Sequence, residues 1–278
     1  MPQRVDLHTH STASDGTLEP GALVALAREW GLVAIALTDH DCMDGLAEAS
    51  RAGRRFGVEV VPGVELSTRR PFGSLHVLGY WIDEQHVELC AALAAIRGGR
   101  QLRNERILAR LAVLGMELDA GRVRALAGGE VIGRPHIAKA MQAAGWVGSV
   151  DEAFERYLGS GRPAYVPRLR LEPPEAIALV HAAGGLAVLA HPGIAGLEPP
   201  VLEAEIESLA ACGLDGLEAI YPEHSEAQRR ELERLAGRLG LAVTGGSDFH
   251  GELKPNRLGE PPVPAELLEA LRARRVGR

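Results

Sequence analysis

Cysteine and aromatic residues are scarce in this 278-residue chain, with three Cys and only 4% Phe, Trp and Tyr. Cys42, Cys90 and Cys212 are odd in number, lie far apart and form no Cys-x-x-Cys pair, which argues against a disulfide framework or a thiolate zinc site. No uncharged apolar stretch approaches the ~18 residues of a membrane span, and the polar N-terminal segment MPQRVDLHTHSTASDG lacks the apolar run of a signal peptide. We therefore expect a cytoplasmic protein with no membrane partner.

Basic residues are fewer than acidic ones, with 30 Lys and Arg against 37 Asp and Glu, so the formal net charge is −7. An acidic excess disfavours binding to long duplex nucleic acid, although a local basic patch can still hold a small anion. The chain has no P-loop, no dinucleotide-binding glycine pattern and no nucleophile elbow, so nothing suggests those chemistries. What remains is a globular composition and a length that suits one α/β barrel of ~250 residues.

One unit recurs along the chain: an amphipathic helix, a glycine and a short apolar strand. Gly31, Gly57, Gly185 and Gly240 each precede such a strand, as expected for a left-handed helix cap before the strand of a βα unit in a parallel sheet. The predicted strands are Arg4–His8, Val33–Thr38, Glu59–Val64, Leu75–Gly79, Leu186–Ala190, Leu214–Ile220 and Leu241–Gly245. The predicted barrel helices are Leu18–Trp30, Gly45–Phe56, Pro174–Ala183, Pro200–Cys212, Ser225–Leu239 and Ala265–Arg274.

Residues 98–171 interrupt this alternation. A long arginine-rich helix is predicted from about Glu84 to Leu114, and no strand-length apolar run of the barrel type follows it. We predict a barrel formed by residues 1–97 and 172–278, with 98–171 as a small, mostly helical insertion over the barrel mouth. Loops on the catalytic face are where such barrels accept additions.

The segment DLHTHSTASDGT carries the strongest chemical signal. In an extended strand, side chains at i and i+2 point the same way, so His8 and His10 can grip one metal ion while Asp15 reaches in from the loop. The next segment, LTDHDCMDG, supplies His40 as a ligand, with Asp39 and Asp41 as supporting or helix-capping groups.

Five further residues follow or lie in later strands. Glu65 ends the third predicted strand and His76 lies in the fourth; a strand histidine taken alone is more often a core residue. His191 follows the fifth strand in LAHPG. The segment GGSDFHG supplies Asp248 and His250, the second pair of candidate ligands spaced i, i+2. The full candidate set is His8, His10, Asp15, His40, Glu65, His76, His191, Asp248 and His250.

Nine candidates exceed the three or four protein ligands that one zinc ion needs, so the set predicts two or three ions with Glu65 able to bridge. Imidazole and carboxylate together suit Mn²⁺, Fe²⁺ or Zn²⁺. Closely spaced ions favour phosphoester hydrolysis, because they supply hydroxide and stabilise both the attacking and the leaving oxygens. The nine residues are thus predicted to be catalytic through the metals and a bridging hydroxide.

These motifs, HTHSTASDG, LTDHD, PGVEL with LHV, and AHPG with GGSDFHG, resemble in order those of the PHP (polymerase and histidinol phosphatase) superfamily of metal-dependent phosphoesterases. The resemblance covers residues 4–98 and 172–250 and implies a distorted (β/α)₇ barrel with a trinuclear centre, commonly of manganese. It implies three ligand sets: His8, His10, Glu65 and Asp248; Glu65, His76 and His191; and Asp15, His40 and His250.

The length, the insertion and GRPHIA are similar to the TrpH branch. That branch implies a phosphoric monoester hydrolase that removes the 3′-phosphate of nucleoside 3′,5′-bisphosphates, such as adenosine 3′,5′-bisphosphate, and trims short 5′-phosphorylated RNA from its 5′ end. The expected partners are therefore a small phosphorylated nucleotide or a short RNA. Nothing in the sequence indicates the oligomeric state.

The insertion offers an independent reason for a doubly phosphorylated substrate. Arginines recur at three- and four-residue spacing along one helix, at Arg97, Arg100, Arg103, Arg106 and Arg110. Because guanidinium groups fork phosphate oxygens, this arginine stripe could hold a second, non-reacting phosphate. The predicted substrate contacts are Arg103, Arg106, Arg134 and His136, and the alternative for each arginine is a solvated helix face.

Three alternatives stay open. Histidinol-phosphate phosphatase is the nearest rival, but its substrate carries one phosphate and a cation, which does not suit the arginine stripe. A non-catalytic metal-binding regulatory module is the second. Amidohydrolases also begin with His-x-His, yet their dinuclear members bridge metals with a strand-end lysine, and Lys139 and Lys254 are predicted to lie away from strand ends.

Overall fold

The computed structural model describes residues 3–70, 75–127, 132–167 and 170–276. The chain divides into two compact units. The barrel unit comprises Met1–Ala91 and Arg170–Arg278, and the insertion unit comprises Ala92–Leu169. Across the described residues, no helix is both long and apolar enough to cross a membrane.

The barrel unit is built on one eight-stranded sheet in the order β7-β6-β5-β4-β3-β2-β1-β8. The strands are β1 (Arg4–Thr9), β2 (Leu32–Leu37), β3 (Glu59–Ser67), β4 (His76–Tyr80), β5 (Leu186–Ala190), β6 (Gly216–Ile220), β7 (Ala242–Gly245) and β8 (Val263–Pro264). All seven predicted strands are present, so the α/β barrel is confirmed. The two-residue β8, antiparallel to β1, was not predicted.

The prediction of a uniformly parallel sheet is wrong for β4, which runs antiparallel to both β3 and β5. The reason lies in the connections. Only residues 68–75 separate β3 from β4, and a parallel crossover needs a dozen residues or more, so β4 runs antiparallel to β3. This reversed strand distinguishes the sheet from that of an all-parallel (β/α) barrel.

The sheet is nearly closed by the segment that follows β7. The Asp248 N–H donates to the His8 carbonyl at 2.9 Å, and the His10 N–H donates to the Phe249 carbonyl at 3.0 Å. This close approach requires glycine at Gly246, where a Cβ would overlap the Cβ of His8. The end of β7 and the end of β1 are therefore locked side by side.

The helices are α1 (Pro20–Glu29), α2 (Leu46–Phe56), α3 (Val87–Val113), α4 (Ala120–Ala127), α5 (Arg134–Ala143), α6 (Val150–Ala153), α7 (Pro173–Ala182), α8 (Pro199–Ala211), α9 (Glu226–Leu239) and α10 (Ala265–Val276). The six predicted barrel helices are confirmed with ends that shift by at most two residues. Apolar side chains that are fully buried fill the barrel, including Val5, Leu7 and Val188.

The regular structure in the described residues of the insertion unit is all helical: α3 enters it from the barrel unit and is followed by α4, α5, α6 and a π-helical turn at Phe154–Leu158. It has an apolar core of its own. Ile107 and Leu111 from α3 pack with Ile137 and Met141 from α5, all of them buried. Such a core satisfies the main requirement for a unit that folds as a compact body.

Candidate metal centre

Seven chain segments bring the nine candidate residues to one edge of the barrel. His8 and His10 come from the end of β1, Asp15 from the loop that follows it, and the other candidates lie in or directly follow later strands. His76 is the first residue of β4 rather than the last. Because β4 is antiparallel, its start pairs with Ser67 at the end of β3 and with Ala190 at the end of β5. The reversed strand thus delivers its histidine to the same edge as the parallel strands.

Glu65 lies at the centre of the cluster and is fully buried. Five imidazole nitrogens lie within 3.3 Å of its two oxygens, those of His8, His10, His40, His76 and His191. The shortest approach, 2.6 Å, is to Nδ1 of His76. A single carboxylate that faces ligands on both sides has the geometry needed to bridge two cations.

Two aspartates complete the cluster. Asp248 Oδ1 lies 3.1 Å from His10 Nε2 and 3.5 Å from both His8 Nε2 and His250 Nδ1. Asp15 Oδ1 lies 3.3 Å from His250 Nε2. The distance from Asp15 Oδ2 to His40 Nε2 is 3.8 Å.

These contacts form three overlapping groups whose candidate ligand atoms all lie within 4.8 Å of one another. The groups are His8, His10, Glu65 and Asp248; His10, Asp15, His40 and His250; and His40, Glu65 and His76. The first coincides with one of the sets implied by the family resemblance. In the third, His40 stands where His191 was expected, although His191 Nε2 is only 3.1 Å from Glu65 Oε1.

The buried nitrogens of the cluster fit a metal centre. Among the described residues, His8 Nε2, both ring nitrogens of His10, His40 Nδ1, His250 Nε2 and Glu65 Oε2 are buried without a hydrogen-bond partner. Unsatisfied buried polar atoms are costly and rare in folded proteins. Divalent cations between the imidazoles and carboxylates would satisfy these atoms together, so the cluster can hold metal ions.

The charges of the cluster also suit cations. Although burial by itself raises the pKa of the Glu65 carboxyl, the surrounding imidazoles, led by His40, hold that pKa well below its usual range. Burial opposes the charge of His10 as well, but Asp248 and Glu65 outweigh it and raise the pKa of His10 to about 9. Burial lowers the pKa of His76. The carboxylates therefore stay ionised at neutral pH and hold protons on nearby imidazoles that a metal would displace.

Buried carboxylates beneath the cluster fix its loops. Asp39 accepts hydrogen bonds from the Ser11 N–H at 2.8 Å and from the hydroxyls of Ser11 and Ser14 at 2.7 and 2.6 Å. Asp41 accepts from the Ser67 N–H at 2.9 Å. The predicted supporting role of these two aspartates is therefore seen in their contacts.

Backbone strain is concentrated at the same edge. Asp41, His191 and Asp248 adopt positive φ angles of 50°, 31° and 52°, a region that residues other than glycine rarely occupy. Such conformations persist only where surrounding contacts hold them, and they cluster at functional sites.

Three residues at the cluster were missed from the sequence. Glu218 is fully buried and lies 2.9 Å from His8 Nδ1. Tyr221 donates its hydroxyl to Asp248 Oδ2 at 2.9 Å, and Lys254 Nζ lies 2.7 Å from the same oxygen. The one available signal was an acidic residue inside the apolar strand GLEAI.

As predicted, Lys254 does not lie at a strand end, since it follows the 3-10 turn Gly251–Leu253, but the loop after β7 folds back and brings its Nζ to Asp248. Lys254 contacts Asp248 Oδ2, the oxygen that also accepts from Tyr221, whereas Glu65 occupies the central position between the imidazoles. The arrangement differs from one in which a lysine bridges the metals.

The predicted substrate contacts lie in the insertion unit. Arg103 is only 8% exposed and its Nε donates to the Val166 carbonyl at 2.8 Å, whereas Arg106 is exposed. Arg134 donates from Nη1 to the Leu158 carbonyl at 3.0 Å. The arginine stripe is therefore not a uniform solvated face.

Other parts of the predicted phosphate site have mixed outcomes. The Arg134 guanidinium also lies 5.4 Å from the centre of the Phe154 ring. His136 Nδ1 accepts a hydrogen bond from the Gly133 N–H at 3.1 Å. The side chain of Arg100 lies outside the described residues. Contact with substrate stays a prediction for all of these residues.

Comparison with known proteins identifies the family. Residues 6–110 match the PHP domain. The chain is 37% identical over 250 residues to a 5′-3′ exoribonuclease of Haemophilus influenzae, covering 90% of this chain and 91% of that protein. The chain belongs to the PHP family. A 3′,5′-nucleoside bisphosphate phosphatase of Chromobacterium violaceum is 36% identical over 247 residues, covering 88% of this chain and 87% of the relative.

The fold of the PHP-family chain is equally clear from solved structures. A Bifidobacterium adolescentis protein described as a metal-dependent phosphoesterase superposes with a TM-score of 0.80 at 34% identity, covering 100% of both chains. The predicted family and barrel are thus confirmed. The chain is a hydrolase of phosphate esters, with a His, Glu and Asp cluster able to hold metal ions.

Proposed function

We propose that this protein removes the 3′-phosphate of nucleoside 3′,5′-bisphosphates, for example converting adenosine 3′,5′-bisphosphate to 5′-AMP. The single observation that carries the proposal is the buried Glu65, which faces five imidazoles. Three of them, those of His8, His10 and His40, have buried nitrogens without a hydrogen-bond partner, which divalent cations would satisfy. The similarity to the C. violaceum phosphatase supports the choice of substrate. The H. influenzae relative supports a second activity, trimming of short 5′-phosphorylated RNA.

We assign the ions, two or three of them, to the nine residues of the cluster. The proposed ligands are His8, His10, Asp15, His40, Glu65, His76, His191, Asp248 and His250. Mixed imidazole and carboxylate donors suit Mn²⁺, which we favour over Fe²⁺ and Zn²⁺. When bound, such ions acidify water and stabilise charge on phosphoryl oxygens.

Side chains around the cluster fix the positions of the proposed metal ligands. Tyr221 and Lys254 bind Oδ2 of Asp248, so Oδ1 stays directed at His10. Asp39 fixes the loop that carries Asp15. Preorganisation of this kind lowers the cost of reaching the transition state, because the ligands need not rearrange during the reaction.

We assign the second, non-reacting phosphate to arginines of the insertion unit. Arg134 supports this role because two contacts, with the Leu158 carbonyl and with the Phe154 ring, fix the plane of its guanidinium. A planar donor held in one orientation suits bidentate phosphate binding. Arg103, Arg106 and His136 are proposed as the accompanying contacts.

The direct test is phosphate release by Mn²⁺-reconstituted protein from adenosine 3′,5′-bisphosphate, AMP and L-histidinol phosphate. We expect the bisphosphate to have the highest kcat/KM and EDTA to abolish the reaction. Asp248→Asn should also abolish it, while Glu223→Gln, an exposed acid on the loop after β6, should not. A preference for histidinol phosphate would overturn the substrate assignment, and metal uptake without any phosphate release would indicate a regulatory module.

A further inference from the structure

Glu218 is an acidic side chain inside an apolar strand. It lies in the middle of β6 and has no exposed surface. Burying a carboxylate costs several kcal/mol even after relaxation of the protein. A shorter or apolar residue would fit the strand pattern, so the contacts of Glu218 show what its carboxylate does.

The carboxylate contacts two different histidines of the candidate metal centre. Its Oε1 lies 2.9 Å from Nδ1 of His8, and its Oε2 accepts a hydrogen bond from the backbone N–H of His191 at 2.8 Å. Oε2 is also 3.2 Å from His8 Nδ1. One buried group therefore joins the end of β1 to the end of β5.

Glu218 is not placed as a ligand itself. It contacts the Nδ1 side of the His8 ring, whereas Glu65 and Asp248 face Nε2 at 3.2 and 3.5 Å. The three groups of candidate ligand atoms do not include it. The His8 ring thus separates Glu218 from the cluster and presents one nitrogen to each side.

We propose that Glu218 is a positioning residue that prepares two metal-ligating histidines at once. By accepting a hydrogen bond from the Nδ1–H of His8, it keeps the proton on Nδ1 and leaves Nε2 unprotonated and directed at the cluster, since the hydrogen bond at one ring nitrogen decides which nitrogen is available to a metal. By accepting from the His191 N–H, it stabilises the left-handed backbone, φ 31°, that turns the His191 ring towards Glu65. The inference rests on the proposed function, because it requires that the cluster binds metal.

The substitution Glu218→Gln separates this role from simple packing, because the two side chains have nearly the same shape. Glutamine has one acceptor oxygen and one donor amide. If its oxygen accepts from His191, its NH₂ faces His8 Nδ1 and forces the proton onto Nε2, which blocks that nitrogen. If the amide is flipped, NH₂ faces the His191 N–H and the strained backbone loses its partner. Either orientation disables one of the two histidines.

The experiment measures Mn²⁺ binding to metal-stripped wild type, Glu218→Gln and the exposed control Glu223→Gln, by free-Mn²⁺ electron paramagnetic resonance and by metal content. We expect about a 10- to 100-fold loss of affinity for at least one ion in Glu218→Gln, the range found when such supporting partners of metal ligands are removed. Glu223→Gln should bind as wild type does.

The outcomes separate this inference from the proposed function. Wild type that takes up no metal would refute the metal centre itself. Wild type and Glu218→Gln that bind the same number of ions equally tightly would refute the role of Glu218 alone. If Glu218→Gln does not fold, ¹⁵N NMR of the zinc-loaded wild type decides the point: we expect the proton on His8 Nδ1, and a proton on Nε2 would overturn the proposal.

Discussion

Removing the metal is expected to give the protein a stability that falls as the pH rises above neutrality. In the metal-free cluster, Asp248 and Glu65 overcome the effect of burial and raise the pKa of His10 to about 9, from an ordinary value of 6.5. The pKa of His8 is also raised well above its usual value, because Glu218, Glu65 and Asp248 outweigh burial there. Both imidazoles therefore bind protons more tightly in the folded than in the unfolded chain.

The sign and size follow from linkage between protonation and folding. A raised pKa stabilises the fold fully below pH 6.5, and this contribution is lost as the pH rises through about 9. For His10 alone the difference corresponds to about 3 kcal/mol, at 1.36 kcal/mol per pKa unit. His8 contributes with the same sign. The lowered pKa of Asp15 acts in the opposite sense only in acid, so it does not cancel this slope.

Bound metal should reverse the slope, because the ions displace these protons and bind more tightly as the pH rises. The assay is urea unfolding between pH 6.5 and 9, with and without Mn²⁺, followed by tryptophan fluorescence, which Trp30 and Trp81 report from the barrel unit and Trp146 from the insertion unit. His86→Gln, outside the cluster, is the matched control and should keep both slopes. A metal-free protein whose stability is flat or rises across this range would refute the reasoning.

Further predictions concern single side chains. Asp39→Ala removes the acceptor for three donors of the Asp15 loop; we expect a loss of about 2–4 kcal/mol in urea unfolding and weaker Mn²⁺ binding, whereas wild-type stability would contradict the supporting role. Arg134→Ala should raise KM for the bisphosphate more than it lowers kcat, with exposed Arg124→Ala as control; equal kinetics in the two variants would remove Arg134 from the phosphate site. Tyr80→Phe leaves the Leu7 carbonyl without its 2.7 Å donor and should cost about 1 kcal/mol of unfolding free energy without changing kcat.

Much of the site was predictable because its residues sit on local patterns. His8 and His10 share one side of a strand, and Asp248 pairs with His250 at the same spacing, so short-range geometry alone places them together. The alternation of helices, glycines and apolar strands likewise defines the barrel. Both patterns involve residues that are close in sequence, so they can be recognised without the tertiary structure.

The remaining features depend on long-range contacts. The direction of β4 is set by the short link from β3, and the apolar pattern of a buried strand is the same in either direction. The role proposed for Glu218 depends on contacts with His8, 210 residues away in sequence, and with the backbone of His191. Lys254 reaches Asp248 because the loop after β7 folds back. The course of such a loop cannot be predicted from a periodic pattern of residues.

The most direct test of the central claim is to identify the product formed from adenosine 3′,5′-bisphosphate by the Mn²⁺-loaded protein, using chromatography and ³¹P NMR. The account predicts 5′-AMP and inorganic phosphate, with no reaction in Asp248→Asn or after EDTA treatment. Formation of 3′-AMP, or turnover that persists without metal, would contradict it.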